Sequence, residues 1–121
     1  MSQAIGRLDT AIEEVGAALC HAATQKHLAC SKLAEQKRRH AQLVEELNAN
    51  IKKGCERLAK AAIKQQLHAE TQMALLEKSI ASIAKEEKET ATHLIALKTK
   101  KQKMEEMLRQ FVCARTEKHP R

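Results

Sequence analysis

Apolar residues recur in heptad register along two long stretches of this chain, and the register changes phase around Gly54. The first stripe runs through Ile5, Leu8, Ile12, Val15, Leu19, Ala22, Ala29, Leu33, Leu43 and Leu47, with Lys26, Gln36 and His40 as its polar interruptions. The second runs through Met73, Leu76, Ile80, Ile83, Leu94, Leu97, Met104, Leu108 and Phe111, with Glu87, Thr90 and Lys101 as exceptions. A heptad stripe held this long predicts an α-helix that buries a narrow seam against another helix. At 1.5 Å per residue, an arm of roughly 50 residues spans ~75 Å.

Between the stripes lies Lys52-Lys53-Gly54-Cys55-Glu56. Cations before a glycine close a helix, because they favour the negative end of its dipole and glycine adopts the left-handed conformation at low steric cost. An acidic residue just after it favours a new helix start. The spacing therefore predicts one all-α domain over residues 1–121, a long antiparallel two-helix coiled-coil hairpin. Its first arm is expected over about residues 3–53, its turn near 54–55 and its second arm over about 56–113.

With the midpoint between Gly54 and Cys55, Leu47 faces Ala62, Leu33 faces Leu76, Ala29 faces Ile80, Val15 faces Leu94, Ile12 faces Leu97 and Ile5 faces Met104. The competing reading is one unbroken helix that dimerises, since a glycine inside a helix costs only ~1 kcal/mol relative to alanine. The phase change and the apolar layers that a turn produces favour the hairpin. Ala11, Ala17, Ala18, Ala22 and Ala23 are expected to permit close helix approach, and Pro120 falls after the periodic pattern has stopped.

Composition agrees with a seam rather than a globular core. The chain has one Phe and no Trp or Tyr, so the large aromatic areas that dominate compact cores are missing. The formal net charge of +7 and pI near 9.4 favour acidic partners such as anionic headgroups, nucleic acid or an acidic protein face. Most lysines are expected simply to solvate the outer helix faces.

Chemistry-bearing patterns are sparse. Cys20, Cys30, Cys55 and Cys113 form no CxxC pair and no disulfide framework, which fits reduced thiols in the cytoplasm. His27 and Cys30 have a spacing that suits two zinc ligands, but no second pair lies opposite them in the hairpin register, so no metal is expected. Glu13-Glu14, Glu45-Glu46, Glu86-Glu87 and Glu105-Glu106 are adjacent on a helix and diverge by about 100°. No nucleotide-binding or zincin motif is present, and a two-helix hairpin offers no pocket, so neither a cofactor nor enzymatic activity is expected.

The densest basic runs are Lys37-Arg38-Arg39-His40 and the group Lys98, Lys100, Lys101 and Lys103. Without aromatic platforms for stacking, nucleic-acid contact through them would be salt-sensitive and would carry no sequence information. The longest stretch without a formal charge, residues 15–25, is too short to span a bilayer, and no signal peptide is visible.

The segment Gln25-Lys26, Leu28, then Lys53-Gly54 followed by Arg57-Leu58-Ala59-Lys60-Ala61-Ala62-Ile63-Lys64 resembles the phage shock protein A family, including the vesicle-inducing protein in plastids. The specific part is the junction: family members carry a lysine-glycine turn, then an acidic stretch and an L-A-R-x-A-L-x-x-K-like start to the second arm, which this chain renders as LAKAAIKQQ over residues 58–66. In that family the hairpin is the central element of a membrane-remodelling protein. A lipid-binding amphipathic helix precedes it, and further helices used in assembly follow.

The resemblance implies a role in membrane-stress response or membrane maintenance, with self-association and inhibitory binding of an AAA+ transcription activator. It points to Lys53, Gly54, Arg57, Leu58 and Lys60 around the turn as partner-binding residues. It also implies a cytoplasmic protein, peripheral where it meets the inner face of a membrane. No amphipathic helix precedes Ser2 here, so only weak, lysine-mediated contact with anionic membranes is expected. The alternative function is a basic adaptor that holds anionic partners by charge.

The polar seam residues have two readings. Lys26, Glu87 and Lys101 set register at a cost in stability, or they mark docking points for other hairpins. Register-setting is favoured, with Lys26 packed beside Ile83 and reaching Glu87 on the opposite arm.

Overall fold

The computed structural model describes residues 2–118, with side chains described through Arg115. Two helices account for them, α1 (Ser2–Lys53) and α2 (Glu56–Lys118), antiparallel and packed as a hairpin. Pro120 lies outside the described residues.

The turn is built as its sequence dictates. Gly54 has φ of 74°, the left-handed region in which a side chain would be strained. Gly54 N–H donates to the Ile51 carbonyl at 3.1 Å and Cys55 N–H donates to the Asn50 carbonyl at 2.9 Å. This is the paired bonding of a Schellman closure, which satisfies carbonyls that the helix end would otherwise leave open. The Cys55 carbonyl accepts the first bond of α2, from Ala59 N–H at 3.0 Å. Lys52 and Lys53 occupy the last turn of α1 and Glu56 opens α2, each complementing the local dipole.

The chain divides into two compact units. The turn unit is Ala23–Lys85; the terminal unit combines the chain through Ala22 with the chain from Glu86 onward. In the turn unit, Ala29, Leu43, Ala59, Ala62 and Ala69 are buried, and Ala69 is the least exposed at 2%. His40 Nε2 lies 3.0 Å from Glu70 Oε1, one residue from the His40–Ala69 layer that a midpoint between Gly54 and Cys55 implies. In the terminal unit, Ile5, Leu8, Ile12, Val15, Leu19, Leu94, Leu97, Met104 and Leu108 are half-buried along the seam. There Lys101 pairs with Asp9, one residue from the Leu8–Lys101 layer.

Two expectations are corrected. Phe111 is 62% exposed and is not a seam residue. In this register it lies past the layer that Ser2 supplies, so no described residue of α1 faces it. Ala17, Ala18 and Ala23 are likewise exposed, because they occupy positions between the seam residues. The buried alanines are instead those of the turn unit, whose small side chains sit on the seam itself.

Candidate interaction surface

Of the residues that the turn motif singled out, Lys53 ends α1 and Arg57, Leu58 and Lys60 lie in the first two turns of α2, all exposed. Leu58 is 56% exposed, a large apolar side chain open to solvent beside a cation. Lys60 Nζ sits 3.3 Å from Glu56 Oε1, an i, i+4 pair with both side chains largely solvated, so it adds little to stability. Arg57 and Lys60, three residues apart, share one side of α2 while Leu58 points elsewhere, so the three do not form one patch.

The seam residues Lys26 and Glu87 are each half-buried, Lys26 in the turn unit and Glu87 in the terminal unit. Lys101 has a pKa raised above the usual lysine value, chiefly because its ammonium donates to the Asp9 carboxylate. Desolvation opposes the shift, and the charges of Asp9 and Glu105 add to it. The Lys101 side chain is 29% exposed while its ammonium stays open to solvent, so the pair is subject to salt screening.

This pair makes a pH prediction. Because folding raises the Lys101 pKa, the contact contributes fully below the unfolded lysine value of ~10.4 and is lost as pH climbs through the raised value. Urea unfolding of the native chain should therefore show stability falling above about pH 10. Asp9→Asn should flatten that part of the profile, and an unchanged slope would remove the pair from the account.

The basic run at residues 37–40 does not act as a block. Successive helical positions fan by about 100°, so Lys37 and Arg39 flank opposite sides of the seam while His40 enters it. With seam positions labelled a and d, Arg39 belongs to the g flank together with Lys32 and Lys53 of α1 and Leu58, Gln65 and Gln72 of α2. Lys37 belongs to the e flank together with Val44, Ile51, Ile63 and Glu70.

The two flanks differ in chemistry. On the e flank and its edge, Val44, Ile51, Ile63 and Leu67 are exposed by 37 to 61%. On the g flank, two adjoining grooves share Gln36 and Arg39. One, of about 690 Å³, is completed by Lys32, Glu35, Arg38, Gln42, Gln72 and Leu76. The other is completed by Lys64, Gln65, His68 and Ala69. Arg39 donates to Gln65 Oε1 at 3.5 Å, a long bond that leaves most of the guanidinium's capacity unused.

Charge is divided unequally along the chain. Residues 23–85 carry 12 Lys and Arg against 6 Glu, a formal +6 of the chain's +7, and the remainder carries 10 cations against 9 acids. The g-flank grooves are not evident in the linear sequence, although the heptad phase that marks the seam also assigns Lys32, Arg39, Gln65 and Gln72 to one side.

Cys20, Cys30 and Cys113 are exposed and Cys55 is half-buried, and none of the four is joined in a disulfide among the described residues. Among the described residues, no three His, Cys, Asp or Glu side chains are grouped to hold a metal ion. Also among them, no helix is long and apolar enough to cross a membrane.

Comparison with family models, with curated proteins and with solved structures gave no match. The resemblance to phage shock protein A therefore rests on the residues around the turn.

Proposed function

We propose that this chain is a coiled-coil interaction module without catalytic activity, built like the core hairpin of phage shock protein A and working in membrane-stress response. In this reading it self-associates and restrains an AAA+ transcription activator. The observation that carries it is the apolar surface left open around the turn. Ile51, Leu58, Ile63 and Leu67 are 44 to 61% exposed there, although the seam already consumes the residues needed to pair α1 with α2. Ile51, Ile63 and Leu67 lie together on the e flank and its edge, with Leu58 on the other flank, and exposed apolar side chains gathered on one side of a hairpin mark a protein-contact surface. Lys53 shares the flank of Leu58, and Arg57 adds a second exposed cation at the start of α2.

The test is retention of an AAA+ activator domain by the immobilised chain at physiological salt, with the activator's ATPase rate as a second readout. Retention and a lowered rate are expected, and Leu58→Ala or Arg57→Ala should weaken both about tenfold, the scale of ~1.4 kcal/mol at an interface anchor. No retention, with no change in rate, would remove the activator from the reading.

A second reading, a basic adaptor for anionic partners, is favoured by the +6 held within residues 23–85. It predicts binding that fades as salt shortens the screening length, whereas apolar contacts at Leu58 persist.

A further inference from the structure

We infer that the g-flank groove centred on Arg39 is a docking site for an acidic segment of a partner protein. This deepens the reading of the chain as an interaction module and rests on it. Lys32 and Arg39 stand two helical turns apart on one side of α1, and Lys64 approaches the same side from α2. Among the described residues, none of these three cations is paired with a carboxylate. Arg39 has only its long bond to Gln65, and Glu35, the one acid lining the groove, is directed to Arg38 at 3.8 Å. Three unpaired cations strung over about 20 Å match a row of carboxylates of similar length, because charge-assisted bonds favour such complements.

The groove's other residues choose among anionic partners. Gln36, Gln65 and Gln72 line it beside the cations. Each primary amide both donates and accepts, the complement of a peptide backbone. A nucleic-acid strand would instead need a series of stacking platforms, and His68 is the single ring lining the groove, with no Phe, Tyr or Trp beside it. A membrane would need large exposed apolar side chains among the cations, and none of those that the described residues expose lines this groove. The groove is concave and polar, with Leu76 and Ala69 as its only apolar lining, so it suits neither a bilayer nor a buried apolar ligand.

The experiment uses the full chain and a fluorescein-labelled peptide of about 12 residues repeating Glu-Ala-Glu-Leu, long enough to cover the groove if helical. Fluorescence anisotropy at physiological salt should detect binding that is lost when the peptide's glutamates are replaced by glutamine. Arg39→Glu with Lys64→Glu should weaken it at least tenfold. Lys98→Glu with Lys103→Glu, an equal charge change in the other unit, should weaken it less than about twofold, the remainder being long-range attraction. Both sites are exposed, so helicity by circular dichroism should be unchanged, and Arg39→Gln with Lys64→Gln gives a milder check in which binding still falls.

Equal losses from both charge reversals would reduce the effect to net charge and overturn the proposal. So would tighter binding of a single-stranded DNA or of phosphatidylserine vesicles through Arg39 and Lys64. Failure of the broader reading is separable, because activator retention is measured through Leu58 on the turn while peptide binding is measured through Arg39 and Lys64.

Discussion

Leu43→Ala should destabilise the hairpin by roughly 2–4 kcal/mol, the usual range for emptying a buried leucine site when the surroundings cannot close over it. Leu43 is 3% exposed and is the one large side chain buried in the turn unit. The register seats it opposite Gln66 and between Ala62 and Ala69, whose burial is 5% and 2% exposed respectively. Alanines have no side-chain length with which to fill a vacated site. The Gln66 Nε2, buried and without a hydrogen-bond partner among the described residues, would gain water instead. Urea unfolding followed by helicity measures the loss, at several protein concentrations so that self-association is separated from intrachain stability. Leu75→Ala, at a site 56% exposed, is the control and should cost below about 1 kcal/mol. Equal losses at the two sites would mean that Leu43 does not anchor the seam.

The hairpin was legible because three independent local signals agree at Gly54. Cations end one helix, the glycine supplies a positive φ, and the heptad phase changes across it. Agreement between local preference and long-range pattern is what lets a sequence specify one arrangement. The seam also followed from periodicity, polar exceptions included, since Lys26, Gln36, His40, Glu87, Thr90 and Lys101 are all half-buried. What periodicity could not rank is how closely the helices approach. Apolar patterning makes Ala17 and Ala62 look alike until their heptad positions are compared, and only the seam position is buried. Phe111 failed for a related reason: a stripe marks the side of a helix that seeks cover, and cover depends on a residue being opposite.

The candidate surface was harder to read. The turn residues stand out as a local string, yet Leu58 points away from the side of α2 that Arg57 and Lys60 share. The Arg39 groove draws on residues 32–42 and 64–76, brought to one side only by the antiparallel pairing. A linear scan sees Lys37-Arg38-Arg39-His40 as one charge run, whereas the helix sends its members to different faces. His40 illustrates the consequence, because its ring reaches Glu70 across the seam while the neighbouring Arg39 reaches Gln65 on the other flank.

Ala69→Leu should cost roughly 1–3 kcal/mol, the range for forcing extra methylenes into a packed site. Ala69 is 2% exposed and faces the His40 layer, so the added isobutyl group has no solvent to turn towards. Relief requires the helices to separate, which would stretch the 3.0 Å contact between His40 and Glu70 and open the groove that Ala69 lines beside Arg39. The same change at Ala61, which is exposed on the outer face of α2, should be nearly neutral because leucine and alanine have similar helix propensity. Urea unfolding gives the stability difference, and amide hydrogen exchange shows whether the loosening centres on His40 and Ala69. The acidic-peptide affinity of the groove should change with Ala69→Leu and hold with Ala61→Leu. A stable Ala69→Leu variant with unaltered exchange would show room between the helices at this layer, and close approach at the buried alanines would no longer explain how the turn unit holds the two flanks in place.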